Sequence, residues 1–561
     1  MKLNKLFLAG IGSLMMFAAT SCVDDLNLKP NDPNYPSPEA KNVFLKCYSG
    51  LAVAAQGGPN SDCDINGVDG GRSTYNRAIF MMNVFPTDEV KWIWKDDGIY
   101  DLNTNTFGPS NVNVYGTYSR FYSHIAVCND FIRTYKGSSD EEIQKWIVEA
   151  RALRALSYYW VIDIYGNGTF VTEEDAIGSD PVQKSRSFLY GWLSEELEDI
   201  ISIWKSKYMN DPVEYGRIGL DAIEALACRL YLNGEVYNGT ADYAKAQAYC
   251  EEIIGRHEGK GGFDNSGLAK HYLYLFCRTN NQYAPGGSNS AENEILWTVP
   301  YDDTMTQSYG GSFFIIAATT SSGPGYDGTG AGQADNYAMD PKDYGTNASW
   351  TCMHTTPEFA DKFTDNDVRQ SLWLKEESGF SKENTVYSQF NCGYAALKFT
   401  SLIQGTDGNW SEENGGKYSP VPNTPANVLN WGSTDWPMFR LADTYLTYAE
   451  CYVLGRTGDA AKALKYINYV RRRAGLKNFE SYDLNADNVL DERARETYYE
   501  LTRRSDLIRH NKFTGNAYNW SWKGDQPKGA GISERYKLMP IPTNIIAAQP
   551  ELQQNPGYVT E

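Results

Sequence analysis

Histidine is scarce in this 561-residue chain: His124, His257, His271, His354 and His510 are the five present. None belongs to an HExxH pair, and neither a GxSxG elbow nor a Walker loop occurs. The usual frameworks for zinc-peptidase, serine-hydrolase and P-loop chemistry are therefore missing. Gly323, Gly325 and Gly328 satisfy GxGxxG by letter, but TGAGQADNYAMDPKDYG follows instead of an amphipathic helix. That stretch reads as a loop tip, not a dinucleotide cradle. The ten cysteines are scattered without a CxxC pair, which argues against a zinc site or a disulfide framework and for small buried apolar side chains. Positive charge is also short, 51 Lys plus Arg against 70 Asp plus Glu, for a formal charge of -19. A nucleic-acid partner needs clustered cations on phosphates, so that class is excluded. Beyond the N-terminus no apolar run is long enough to span a bilayer.

What the chain has in quantity is aromatic rings, 14 Trp, 22 Phe and 40 Tyr. Tyrosine, a flat ring with a polar tip, suits half-wet faces. The N-terminus sets the compartment. Lys2 and Lys5 precede an apolar run from Leu6 to Ala19, too short for a membrane span and suited to a signal-peptide core over residues 1–21. Ala19, Thr20, Ser21 and Cys22 resemble a bacterial lipobox, which makes Cys22 the lipidated mature N-terminus; a secreted protein cut nearby is the alternative. Asp24 and Asp25 resemble the acidic export tag of surface lipoproteins. Residues 22–40 carry Pro30, Pro33, Pro36 and Pro38 and read as a tether.

Helical periodicity dominates the rest of the chain. In Glu149–Gly166 the side chains Leu153, Leu156, Trp160 and Ile164 form one apolar stripe, ended by Gly166. Residues 219–255 and 441–475 each read as a helical hairpin, the second turning at Gly458 and Asp459. Small residues such as Ala449 and Ala463 alternate with Tyr at pairing positions, as in tetratricopeptide units; a plain helical hairpin is the alternative. Residues 56–115 and 280–435 lack that period and are rich in Gly, Asn, Asp and Tyr, which marks them as functional loops. A helix over 488–513 carries Arg503, Arg504 and Arg509, read as a solvated or salt-bridged face in preference to an anion site.

Within the first loop region, Val90, Trp92 and Trp94 alternate with Lys91, Ile93 and Lys95. In extended backbone both indoles project from one face, about 6.5–7 Å apart. Such a pair makes a platform for the flat faces of consecutive sugar rings, with Asp69, Arg77 and Asp97 nearby to take hydroxyls. Two core tryptophans are the competing reading. Paired carboxylates for glycosidase chemistry cannot be argued from a chain with 70 acids.

Taken in order, the lipobox, EARALRALSYYWVIDIYG, NEILWTVPYD, DWPMFRLADTYLTYAECYV, ALKYINYVRRRAGL, ERARETYYELTRRSDLIRHNKFTG and YKLMPIPTNIIAAQPELQQNPGY resemble the SusD/RagB family of outer-membrane nutrient-binding lipoproteins. The resemblance covers essentially the whole mature chain. It implies a mainly α fold, a tetratricopeptide-like helical-hairpin scaffold with a loop-rich ligand-binding half. Residues 41–280 and 281–561 would be its N- and C-terminal regions. It implies no catalysis, and a role as lid on a SusC-like TonB-dependent transporter. The first loop resembles starch-binding members, which would give Asp69, Arg77, Trp92, Trp94 and Asp97 sugar contacts; those members are expected to have Asn where Asp97 stands. Tyr309 and Trp350 would complete the aromatic arc. The resemblance also implies a structural calcium, with Asn289, Glu292 and Asp435 as ligands. Starch or maltooligosaccharide is the expected cargo, with another neutral glycan such as a fructan, or a surface glycosidase, as alternatives.

Overall fold

The computed structural model describes residues 39–55, 57–59, 63–278, 280, 291–321, 341–402 and 428–559. Residues 1–21, Cys22 and most of the tether, Asn289 and the Gly323–Gly328 loop lie outside the described residues, as does the side chain of Glu292. The chain divides into Met1–Val43 and Phe44–Glu561, and the helices and strands that carry the site lie in the second unit. No helix among the described residues is long and apolar enough to cross a membrane.

The expected helical scaffold is present. Its main helices are α1 (Tyr75–Asn83), α2 (Val112–Tyr135), α3 (Glu141–Ile164), α4 (Arg186–Ile203), α5 (Leu220–Leu232), α6 (Tyr243–His257), α7 (Gly311–Thr319), α8 (Leu441–Gly455), α9 (Ala460–Arg473), α10 (Ala486–Thr497) and α11 (Arg503–Arg509). From α2 to α6 each packs on the next, α6 then packs on α8, and α8 on α9. The two hairpins read from sequence are thus adjacent layers of one stack, in which each helical pair buries its apolar face on its neighbour. Side-chain caps start several of these helices: Asn111 before α2, Asp140 before α3 and Asp459 before α9 each accept hydrogen bonds from the first free backbone amides.

Two expectations change in detail. Helix α3 is buried on nearly every side from Trp146 to Ile164, and not along a single stripe, because α2 and α4 flank it. The stretch 488–513 is two helices, not one: α10 ends at Thr497, and Tyr499 and Leu501 take positive φ values of 64° and 74° before α11 begins. Arg503, Arg504 and Arg509 are buried, so their face is salt-bridged but not solvated. Arg503 forms a bidentate pair with Asp88 at 2.6 and 2.7 Å, and Arg509 donates to Glu450 and Asp506 at 2.7 Å each.

Among the described residues the strands form short antiparallel pairs: β1 (Lys91–Trp92) with β5 (Met353–His354), β2 (Gly168–Phe170) with β3 (Val182–Lys184), and β4 (Ile295–Val299) with β6 (Trp436–Arg440). Segments from before and after residue 280 therefore share the β1–β5 ladder and the α6–α8 layer. Of the nine described cysteines, all are free thiols and all but Cys63 are buried.

Where the scaffold meets the loops lies a lattice of buried ion pairs. Arg440, ending β6, reaches Glu294 at 2.5 Å, Glu496 at 2.9 Å and Glu500 at 2.6 Å. Arg473, closing α9, holds Glu294 at 2.8 Å and Glu496 at 2.5 Å. Arg369 adds Asp367, Glu492 and Glu496 at 2.6, 2.8 and 3.2 Å. Burial pushes the Glu496 carboxyl up, and the Arg473, Arg440 and Arg369 guanidiniums overcome it and pull the pKa down to about 2. A carboxyl held below its unfolded value of about 4.3 contributes stability that is present above that pH and lost as pH falls towards 2. Replacing Glu496 with Gln removes one anionic partner from each of three buried guanidiniums, so Glu496→Gln should cost about 3–5 kcal/mol in thermal or denaturant unfolding at pH 7. The wild-type protein should lose stability between about pH 4 and pH 2, and the variant should show a shallower acid limb.

Candidate functional site

The loop residues singled out from sequence converge at one place. The β1–β5 register sets Lys91 opposite His354 and Trp92 opposite Met353, and the ladder continues with the Ile93 amide donating to the Cys352 carbonyl at 2.9 Å. Trp94 and Trp350 therefore leave the ladder side by side, with ring centroids 5.9 Å apart and planes inclined by 36°. Tyr309 continues the row 6.3 Å from Trp350 at 34°. All three rings are half-buried. Successive tilts of this size mean that a flat ribbon of sugars cannot lie on all three rings at once.

Helix α7 is the floor of this row. Its sequence, GSFFIIAAT, is buried from end to end. Phe313 lies under Trp350 and Tyr309, 5.8 and 6.2 Å away, and Phe314 stacks on Trp92 at 5.7 Å. The approach into α7 is tight: a Cβ on Gly310 would fall within the Thr74 side chain, and one on Gly311, whose φ is +57°, within the Tyr301 ring. Two glycines thus let Tyr309 sit directly above the helix start.

Trp92 requires a correction. It was expected on the platform beside Trp94, and it lies on the same side, 6.0 Å away, but its side chain is 0% exposed. Phe85 and Phe314 enclose it, and its indole N–H donates to Asp96 at 2.9 Å. The competing reading, a core tryptophan, holds for Trp92; Trp94 alone of the pair offers surface. Trp92 supports the arc from below.

The polar residues take distinct positions. Arg77, on α1, is buried, and its Nη1 donates to the Tyr309 carbonyl at 3.0 Å. Its guanidinium lies 4.4 Å from the Phe314 ring and 5.9 Å from that of Trp350. Burial lowers its pKa to about 10 against the pull of Asp69 and Asp96, so it is a cation at neutral pH. Asp69 is at the surface, its side chain 51% exposed, and accepts the Arg72 backbone amide at 2.7 Å. Burial raises its carboxyl, and the Arg72 amide with the Arg72 and Arg77 charges more than offsets this, leaving it below the usual range. Asp97 is exposed, and its carbonyl accepts Arg72 Nη1 at 3.1 Å and Asn113 Nδ2 at 2.8 Å. Asp69, Arg72 and Asp97 line one small depression of about 160 Å³. A larger concavity, about 760 Å³ between residues 180–185 and 548–553, shares no residue with the arc.

Sequence reasoning missed four contributors. Arg72 links Asp69 to Asp97, and its position within GGRST beside Asp69 was the available signal. Phe313 and Phe314 gave none, since an all-apolar nine-residue helix has no amphipathic period. Trp431 stands at the far end of the row, 5.0 Å from Tyr309, and was flagged only by lying in the second loop region.

Of the expected calcium ligands, Asn289 and the side chain of Glu292 lie outside the described residues, which leaves Asp435. Asp435 is buried, and its carboxylate accepts the Tyr301 amide at 2.7 Å and the Tyr215 hydroxyl at 2.6 Å. Among the described residues no group of three or more His, Cys, Asp or Glu is arranged to hold a metal ion.

Comparison with known proteins gives a consistent result. Residues 293–558 match the SusD family profile. The chain is 31% identical over a 576-residue alignment to the starch-binding protein SusD of Bacteroides thetaiotaomicron, covering 99% of both chains. It is 22% identical to a SusD-like protein of Bacteroides ovatus, over 73% of this chain and 69% of that one. Among solved structures, it resembles surface glycan-binding protein A from Bacteroides thetaiotaomicron in complex with laminarihexaose, with a TM-score of 0.64, 21% identity and coverage of 92% and 98%. A SusD superfamily protein from Parabacteroides distasonis matches with the same TM-score and coverage at 18% identity.

The different burial of the tryptophans has a direct consequence. Trp92→Ala should lower stability by about 3–5 kcal/mol, as truncation of a core aromatic does, whereas Trp350→Ala should leave the melting temperature within a few degrees of wild type. Differential scanning calorimetry of the two variants measures the contrast.

Proposed function

This chain belongs to the SusD family, and from that premise we propose that it is a cell-surface glycan-binding lipoprotein that takes up curved glucans of the starch type. The observation that carries the proposal is the row Trp94, Trp350 and Tyr309, three half-buried rings inclined by 34–36°. Sugar rings present flat C–H faces to aromatic planes, and inclined planes favour a chain that curves as it binds. Asp69 and Asp97 are exposed acceptors at the polar edge. The expected Asn at position 97 could both donate and accept; Asp97, when ionised, only accepts, so this position takes a sugar hydroxyl as donor. Arg77 is a positioning residue in this scheme, because it holds the Tyr309 backbone and backs the Trp350 ring from a buried place.

Binding without turnover is the reading favoured by Asp69, the exposed acid beside Arg77 and Tyr309. A glycosidase acid needs a raised pKa to keep its proton near neutrality. Asp69, beside the arc, is shifted the other way. The affinity expected is modest, since exposed stacking must offset the ordering of a flexible sugar. A lipid on Cys22 would place the protein at the outer membrane facing outwards, where it would pass glycan to a SusC-like TonB-dependent transporter. No step of this scheme runs through calcium.

A second reading keeps the site and changes the linkage. β-1,3-Glucans also curve, and the structural neighbour bound to laminarihexaose supports that cargo. Isothermal titration with maltoheptaose, laminarihexaose and a levan oligosaccharide decides between them. Binding of maltoheptaose, lost at least tenfold in Trp350→Ala and Trp94→Ala, is the expected outcome; tight binding of laminarihexaose or levan alone would replace the starch assignment. New reducing ends released from starch would overturn the binding role. Cys22→Ala should move the protein from the membrane to the soluble fraction.

A further inference from the structure

Trp431 extends the aromatic surface beyond the three rings of the arc. It is half-buried, lies 5.0 Å from Tyr309 with its plane turned by 68°, and is backed by Phe313 at 4.8 Å. The first three rings change direction gradually, whereas Trp431 makes a corner. Its support is rigid. The Leu429 amide donates to the Gly345 carbonyl at 2.9 Å, and the Asn347 amide to the Leu429 carbonyl at 2.8 Å. Gly432 lets the segment approach the helix closely, since a Cβ there would stand 3.1 Å from the Phe313 Cα. On its other side, Ser433 Oγ receives the Asp303 amide at 3.0 Å. The segment carrying Trp431 is thus joined both to the strand leading into Trp350 and to the loop leading into Tyr309.

Two exposed amides accompany the ring. Asn347 Nδ2 donates to Asn430 Oδ1 at 2.9 Å, and both side chains face solvent. That single bond leaves the Asn430 amide protons and the Asn347 carbonyl as planar donors and acceptors for sugar hydroxyls. An aromatic plane with a pair of surface amides repeats the chemistry of the arc, a ring beside polar side chains, on an independently anchored segment.

We propose that Trp431, Asn347 and Asn430 form a further sugar subsite at the Tyr309 end of the arc, one that engages only chains long enough to turn the corner. The proposal rests on the glycan-binding role and adds to it a length preference for neutral oligosaccharides. A short oligosaccharide fills Trp94, Trp350 and Tyr309 and leaves the corner empty; a longer one stacks its next unit against Trp431.

Titration of maltotriose and maltoheptaose, and in parallel of laminaritriose and laminarihexaose, into wild type, Trp431→Ala, Asn347→Ala/Asn430→Ala and Trp350→Ala tests it. For the series that binds, Trp431→Ala should weaken the long oligosaccharide about fivefold and leave the trisaccharide unchanged, in keeping with the loss of one stacking contact. The double Asn variant, which leaves the ring in place, should show the same length dependence. Equal weakening of both lengths, or no change in either, overturns the subsite. Loss of both lengths in Trp350→Ala alongside either of those results leaves the arc standing without it. Failure of wild type to bind either series overturns the arc and the subsite together.

Discussion

The structure depends first on the buried lattice that joins Arg440, Arg473 and Arg369 to Glu294, Glu492, Glu496 and Glu500. These charges come from β6, from the last turn of α9, from α10 and the link that follows it, from the short turn Val368–Gln370, and from the residue leading into β4. Removing a guanidinium or carboxylate from water is expensive, and only a closed set of partners offsets it. The lattice therefore tolerates one arrangement of the scaffold against the β4–β6 ribbon. Directly before β6, the Asp435 carboxylate fixes the Tyr301 amide, and the Tyr301 ring lies against the Gly311 turn that opens α7. The aromatic arc stands on α7, so its geometry descends by direct contacts from the ion-pair lattice.

That arrangement explains how weakly structured loops can present a defined aromatic face. Trp94, Tyr309 and Trp350 come from segments far apart in the chain, and none is held by a long strand. Each is fixed instead by one short connection: the β1–β5 ladder for Trp94, the Arg77 bond to its carbonyl for Tyr309, and a 2.6 Å amide bond to the Ala317 carbonyl for Trp350. The rings are left half-buried, with enough enclosure to hold their orientation and enough surface to meet a ligand. The excess of tyrosine has a separate origin. Tyr445, Tyr448 and Tyr466 pack between helices α8 and α9, where their rings contact one another and their hydroxyls reach polar partners at the edge of the layer, as Tyr448 does with Glu251.

Legibility from sequence followed the strength of local signals. The hairpins at 219–255 and 441–475 could be read because helical period, small residues and the Gly458–Asp459 turn agree with one another. Helix α7 could not, because it is apolar on all faces and lies among glycines. The break between α10 and α11 was hidden for another reason: Tyr499 and Leu501 adopt left-handed backbone that neither residue type favours, with the Tyr499 amide held by the buried Glu89 carboxylate at 2.9 Å. For the arginines of α11, composition suggested a solvated or salt-bridged face, and only their partners Asp88, Glu450 and Asp506, the first more than 400 residues away in the chain, show that it is salt-bridged and internal.

By itself the sequence determined the helical class, the origin of the aromatic arc in two Gly- and Tyr-rich segments, and the pairing of Trp92 and Trp94 on one side of an extended strand. Alternation along a strand is a local property, so it could be read without a fold. Which of the two indoles is buried was decided by α7, since that helix covers Trp92 and stops short of Trp94. The same holds for Arg77, a candidate ligand contact by composition that became a support for Tyr309, and for Trp431, which acquired its place only when Phe313 came beneath it. Residue type and period are fixed by nearest neighbours in the chain; exposure is fixed by what packs on top, and here that packing arrives from more than 100 residues away.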